Sequence, residues 1–132
     1  MSPHTKLIEA DILSFEFPAS YEIIYCGALI HLFTLEDAQR LLSRIYDALT
    51  PGGILFINTT IHETSSEGYY EKHDYAQKVK RYRHRYTKEE FVHSIESSGF
   101  RIIDTLSTYE NHRDKYWLAL ICEKPVKTQS NA

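Results

Sequence analysis

Histidines and tyrosines are the residues of this chain whose types and positions best suit chemistry. His31 follows a run of apolar residues, and an imidazole there can accept a proton from a hydroxyl or an amine, or orient such a group. The segment 61–86 holds five of the ten tyrosines and three of the seven histidines. Tyrosine rings with a polar end suit a small-molecule pocket. Equally, His31 could be a buried histidine that binds backbone carbonyls, and the tyrosines could pack down from an amphipathic surface helix.

A basic run lies between Lys72 and Lys88, where seven of the fifteen basic residues occur with a single acid, Asp74. Cations alternate with aromatic residues in this run, as they do on surfaces that bind phosphate and stack on bases. A charged, solvated loop is the more usual explanation. The whole chain carries a formal charge of -3, which counts against extended contact with nucleic acid. Nucleic-acid binding is therefore the weaker interpretation.

Several other classes of protein are disfavoured by the sequence. The histidines, cysteines and acids show no metal-ligand spacing, so no metal site is predicted. No apolar stretch approaches the roughly 20 residues that span a bilayer, and the N-terminus lacks the features of a signal peptide. Cys26 and Cys122 lie in apolar runs and are expected to be buried free thiols. With 132 residues, 42% of them hydrophobic, the chain is expected to be one cytoplasmic domain.

The order of the predicted elements indicates an α/β fold, because strands and helices alternate along the chain. Thr34 and Thr87 are predicted N-caps, each followed by acidic residues in the first helical turn. The domain is predicted to occupy residues 1–125, with 126–132 as a frayed tail. The predicted strands cover residues 6–12, 21–28, 54–58, 101–106 and 116–122.

Five segments, in this order and spacing, carry a resemblance to a known family. They are ADILSFEFP, YEIIYCGALIHLF, LLSRIYDALTPGGILFIN, RYTKEEFVHSIESSGFRIIDT and YWLALICEKP. Together they resemble the later half of a class I S-adenosyl-L-methionine (SAM)-dependent methyltransferase, from its third strand to its last. The resemblance implies a partial Rossmann-like fold with a mostly parallel sheet, an antiparallel last strand, and the first two strands lacking.

The resemblance also implies SAM as the cofactor. The family's glycine-rich first turn is absent, since no Gly-x-Gly occurs, so we expect the isolated chain to bind SAM weakly or not at all. Asp11 would face the adenine amino group from the tip of the third strand, unless it is a solvated turn residue. Gly27 would let a ligand lie against the backbone, unless it only ends the strand. The residues that the resemblance assigns to the cofactor are Asp11, Ile12, Cys26, Gly27 and Ala28.

The implied reaction is methyl transfer to an oxygen or nitrogen of a small molecule, with His31 as the catalytic residue. The alternative is a non-catalytic, methyltransferase-derived subunit or regulatory binding module. In the family the strand equivalent to 21–28 lies between two neighbours, so we expect a homodimer or a second chain to supply the missing half. The segment 61–86 matches the variable lid over the acceptor. The residues assigned to the acceptor are Tyr69, Tyr70, His73, Tyr82 and His112.

Overall fold

The computed structural model of the chain describes residues 5–74 and 77–127, with side chains except in 71–79. The strands of the main sheet are β1 (Tyr21–Gly27), β2 (Leu49–Ile61), β5 (Arg101–Glu110) and β6 (Lys115–Glu123). A separate hairpin consists of β3 (Ser66–Asp74) and β4 (Gln77–Arg85). The helices are α1 (Leu35–Ala48) and α2 (Lys88–Ser97), with a 3₁₀ turn at Ile30–Leu32. None of the helices in these ranges is long and apolar enough to cross a membrane.

The main sheet has the strand order β1-β2-β6-β5. β1 runs parallel to β2, whereas β6 runs antiparallel to both of its neighbours, β2 and β5. Three strands therefore share one direction and only the last is reversed. Among the described residues this confirms the expected mostly parallel sheet with an antiparallel last strand and without the family's first two strands.

Both helices begin where the sequence predicts. The Thr34 hydroxyl accepts a hydrogen bond from the backbone N–H of Asp37 at 3.2 Å, and Thr87 caps Glu90 in the same way at 3.1 Å. α2 ends before Gly99, whose φ of +101° is a left-handed conformation that favours glycine. The side chains that α1 buries recur at helical spacing: Ala38, Leu41, Leu42, Ile45 and Ala48.

The core lies on one face of the main sheet, between the strands and the two helices. Successive strand residues point to opposite faces, so Leu55 and Ile57 are buried under the helices. On the opposite face, Ile23 is 70% exposed, Tyr25 66% and Leu106 60%. One face of the sheet is therefore packed and the other presents apolar side chains.

The predicted strand at 6–12 is wrong. Residues 5–11 form no helix or strand, and Asp11 begins a turn in which its carboxylate accepts a hydrogen bond from the Leu13 N–H at 3.0 Å. The segment pairs with no strand, although the outer edge of β1 has no described neighbour. Instead it packs Ile12 and Leu13 against the core, and Arg44 of α1 donates a hydrogen bond to the Phe15 carbonyl.

The segment 61–86 is mainly a β-hairpin, so the interpretations as a surface helix and as a solvated loop are both wrong where it is described. β3 and β4 pair with Tyr70 opposite Arg81 and Tyr69 opposite Tyr82. Because side chains alternate along a strand, Arg81 and Arg83 project from one face of the hairpin and Tyr82 from the other. β4 contacts the 3₁₀ turn, which brings the hairpin to the end of the main sheet.

Candidate functional site

The candidate site begins at the carboxyl ends of β1 and β2, the edge at which open α/β sheets bind ligands. β1 ends at Gly27, and Ala28 follows in a left-handed conformation with φ +51°. The backbone N–H of Ala28 donates a hydrogen bond to the Asn58 side-chain oxygen at 2.7 Å. This bond between the two strand ends fixes the direction in which the chain leaves the sheet toward the 3₁₀ turn.

His31 lies in that 3₁₀ turn and is buried, with 5% of its surface exposed. Its Nδ1 is 3.0 Å from the hydroxyl oxygen of Thr59 on β2. Burial, and after it the positive charges of Arg83, Lys115 and His62, together lower the pKa of His31 to about 4. The ring is therefore neutral at neutral pH. When Nδ1–H donates to Thr59, Nε2 has a lone pair that can accept a proton or a hydrogen bond.

A cavity of about 430 Å³, here called the β1 cavity, lies beside β1. Apart from the thiol of Cys26 and the ring of Tyr25, its walls are apolar or glycine. Burial raises the pKa of Cys26 to about 11, so the thiol stays protonated at neutral pH. The lining residues are Ile12, Phe17, Ile24, Tyr25, Cys26, Gly27, Leu29, Leu41 and Ile45.

The structure places three of the five residues assigned to the cofactor, Ile12, Cys26 and Gly27, on the wall of the β1 cavity. Ala28 lines an adjoining cavity of about 400 Å³, together with Gly27 and Asn58 among others. Asp11 lines neither of these cavities, because its carboxylate is part of its own turn.

Gly27 has its open side covered by a side chain of the same strand. A Cβ at Gly27 would lie 2.4 Å from Cε1 of Tyr25, whose ring also stacks on Phe56 with centroids 5.2 Å apart. A ligand that lies against the Gly27 backbone must therefore displace the Tyr25 ring, which is mostly exposed and able to turn.

The β1 cavity fits only part of SAM. Its apolar walls suit a flat ring such as adenine, whereas the ribose hydroxyls, the ammonium group and the carboxylate of SAM need polar or charged partners. Among the described residues that line the cavity, none has a charged side chain. The chain as described therefore holds an apolar part of a cofactor site without the polar part.

A third cavity, here called the cationic pocket, has a volume of about 420 Å³ and lies between the hairpin, the 3₁₀ turn and the β5–β6 turn. Four of its side chains are cationic and two are aromatic. The lining residues are Leu32, Tyr70, Arg81, Tyr82, Arg83, Arg113 and Lys115.

The structure brings together only some of the residues assigned to the acceptor. Tyr70 and Tyr82 line the cationic pocket, and Tyr69 packs its ring against Tyr82 at a centroid distance of 5.7 Å. His112 lies in the β5–β6 turn with Nε2 3.5 Å from a Glu110 carboxylate oxygen, outside the pocket lining. The side chain of His73 lies outside the described residues.

Sequence reasoning included Arg81 and Arg83 only as members of the basic run between Lys72 and Lys88, and it missed Arg113, Lys115 and the polar pair Asn58 and Thr59. Arg81 and Arg83 were detectable, because a spacing of two residues in a basic run is the pattern of one strand face. Arg113 lies in the distant β5–β6 turn and Lys115 begins β6, so only the fold brings them to the hairpin.

Comparison with known proteins supports the resemblance. Residues 2–57 match the family described as methyltransferase domain. None of the curated protein sequences matches the chain.

The fold is similar to that of solved methyltransferases. A SAM-dependent methyltransferase from Methanosarcina mazei has 16% identity and a TM-score of 0.73, covering 89% of this chain and 66% of its own. The 1,6-didemethyltoxoflavin-N1-methyltransferase of Burkholderia thailandensis, solved with 1,6-didemethyltoxoflavin and S-adenosylhomocysteine, has 15% identity and a TM-score of 0.72. That match covers 89% of this chain and 50% of the other, so this chain spans only half to two thirds of these two proteins. The fold is that of the class I SAM-dependent methyltransferases, and the resemblance found in the sequence is confirmed at that level.

Proposed function

We propose that this chain forms the acceptor side of a SAM-dependent methyltransferase that acts on an oxygen or nitrogen of a small molecule. The observation that carries the proposal is the position of His31 in this fold. The ring is held by Thr59 at the carboxyl end of the sheet, and the adjoining residue Leu32 lines a pocket with Tyr70 and Tyr82. In the Burkholderia enzyme a protein of similar fold methylates a small molecule at nitrogen.

In this proposal the chain mainly aligns and desolvates the acceptor. SAM, when bound, supplies a methyl group on a sulfonium that is already activated, so the protein needs no strong base. The low pKa of His31 disfavours a lasting imidazolium. We assign to its Nε2 the orientation of the acceptor O–H or N–H, and acceptance of that proton as the new bond to carbon forms.

The cofactor side is completed by association in this proposal. β1 pairs only with β2 among the described strands, and apolar side chains cover the open face next to it. An unprotected edge strand of this kind favours pairing with another chain. A two-fold homodimer is our first choice, and a second chain that carries the other half is the alternative. Light scattering after gel filtration should give the mass of two chains, whereas a stable single-chain mass at micromolar concentration would contradict the homodimer.

The second candidate is a non-catalytic, methyltransferase-derived binding module. The absence of charged side chains from the described lining of the β1 cavity favours it. Transfer of radiolabelled methyl from SAM to a pool of small hydroxy and amino compounds distinguishes the two candidates. Label in a small-molecule product supports the enzyme. No label at any chain concentration, with or without a second chain that carries the other half, supports the module.

The remaining assignments belong to the same proposal. A domain over residues 1–125 operates in the cytoplasm, where Cys26 and Cys122 stay reduced, as both are buried and free. Gly27, Ala28, Ile12 and Cys26 contact the cofactor, and Asp11 does so only if its turn opens.

A further inference from the structure

Three of the four cations of the cationic pocket have no ion-pair partner among the described side chains. Arg81, Arg83 and Lys115 have no described carboxylate oxygen within 4.0 Å, and Arg113 has one at 3.8 Å, from Glu110. The carboxylate of Asp114 accepts instead from the Tyr109 hydroxyl. Like charges gathered from separate elements repel one another, so their common position is stabilised when an anion lies between them.

The aromatic wall of the pocket is held in place. The Arg85 guanidinium lies over the Tyr70 ring at 4.9 Å from its centroid. The Tyr82 hydroxyl donates a hydrogen bond to Glu67 at 2.7 Å, and burial, followed by this bond, raises the pKa of Tyr82 to about 12. Tyr82 therefore stays neutral and adds no negative charge beside the pocket.

The pocket is also close to His31. Leu32 lines it directly, and Arg83 and Lys115 act electrostatically on the His31 ring. A ligand with its anionic group between these cations would have the rest of its body beside Leu32 and the tyrosines. The proposed role of His31 places the methyl acceptor on this same side.

We propose that the cationic pocket binds a small molecule with an oxyanion group, phosphate or carboxylate, attached to an apolar or aromatic body. The inference rests on the proposed function, because it identifies this molecule as the methyl acceptor. Guanidinium groups match both oxyanions through paired N–H donors, and four cations favour the doubly charged phosphate. A volume of about 420 Å³ lies within the usual range for small-molecule sites and is bounded on several sides, unlike a groove for a polymer.

Calorimetry without SAM tests the inference separately from methyl transfer. Phenyl phosphate and benzoate are the anionic probes, and neutral benzyl alcohol is the control ligand. We expect saturable binding of phenyl phosphate with a Kd of about 1 mM or tighter, weaker binding of benzoate, and none of benzyl alcohol. Arg83→Gln should weaken phenyl phosphate binding about tenfold or more, since a hydrogen bond to a charged group is lost. Arg40→Gln, which removes an exposed arginine of α1, should leave it unchanged.

A second readout follows the His31 ring. Its NMR titration should move to higher pH when phenyl phosphate is bound, because the anion offsets the positive charges of Arg83 on β4 and Lys115 on β6. These two cations lower the pKa of His31, as does His62, which follows β2. Circular dichroism confirms that Arg83→Gln is folded. If that variant is unfolded, Lys115→Gln is used in its place, with the same expectation.

Four results would overturn the inference. They are no anion binding to the wild-type chain, equal binding of benzyl alcohol, equal losses in Arg83→Gln and Arg40→Gln, and a His31 titration unmoved by saturating phenyl phosphate. Tighter, Arg83-dependent and more steeply salt-dependent binding of single-stranded DNA would also overturn it, in favour of nucleic acid. If the chain binds phenyl phosphate as expected but never transfers methyl, the anion site is supported and the proposed function is contradicted.

Discussion

The β1 cavity and the cationic pocket have nearly equal volumes and opposite chemistry. Apart from the Tyr25 ring and the neutral Cys26 thiol, the β1 cavity has apolar or glycine walls, and it lies at a sheet edge without a described neighbour. The cationic pocket is charged and is closed by three separate parts of the chain. One cavity lacks polar partners for SAM, whereas the other has more cations than described counterions. The difference is the one expected if, as proposed, a single chain provides the acceptor side and leaves the cofactor side to be completed.

Acid should destabilise the folded chain, because His31 is buried next to the cationic pocket. The His31 ring gains a proton near pH 6.5 in the unfolded chain and only near pH 4 in the folded chain. Its contribution to the free energy of unfolding is therefore complete above pH 6.5 and is lost as pH falls from there through about 4. The loss attributable to this ring is about 3 kcal/mol. Urea unfolding across this range measures it.

Two variants sharpen the acid test. His31→Asn should abolish most of the pH-dependent loss, and His93→Asn, at an exposed histidine of α2, should not. Arg83→Gln should reduce it in part, because one of the cations is removed. If the stability of His31→Asn depends on pH as that of the wild type does, then the pH-dependent loss does not come from His31 beside the charged pocket.

Activity gives the next effect in size. Once methyl transfer is reconstituted, with a second copy or a partner chain, His31→Ala should lower kcat about 100-fold and leave SAM affinity close to wild type. The expected split follows from placing His31 on the acceptor side, away from the β1 cavity. An unchanged kcat would make His31 a structural residue that only binds Thr59.

The attachment of the hairpin gives the smallest effect. His84 is buried, and its Nε2 is 2.6 Å from the Glu90 carboxylate of α2, which also accepts from Ser65. Glu90→Gln should lower the free energy of unfolding by about 1 kcal/mol, because a charge-assisted bond becomes a neutral one. Glu89→Gln, at an exposed position in the same helical turn, is the control. Equal effects of the two changes would mean that the His84–Glu90 pair does not anchor the hairpin.

Sequence patterns predicted those parts of the fold that depend on local physics. Thr34 and Thr87 cap their helices because a hydroxyl at that position satisfies a free backbone N–H, and Tyr21–Gly27 is a strand because its apolar run suits a sheet. The strand at 6–12 failed because a strand needs a partner, which this stretch does not have among the described residues. Periodicity within the stretch carries no information about that partner.

The candidate site was less predictable, for a related reason. His31 was detectable as a histidine next to a buried strand, but its contact with Thr59 depends on the pairing of β1 with β2. The hairpin was missed because nine residues per strand with charged and aromatic side chains show little apolar alternation. Unless the hairpin is known, nothing in the sequence indicates that Arg83 and Lys115 line the same pocket.

The contrast between the two cavities is tested most directly by titrating SAM calorimetrically into the protein, diluted until light scattering gives the mass of one chain. We predict no saturable SAM binding in the micromolar range, because several hydrogen bonds of about 1 kcal/mol each are missing, while phenyl phosphate added to the same sample saturates. Micromolar binding of SAM by single chains would contradict this, and would mean that one chain holds a complete cofactor site.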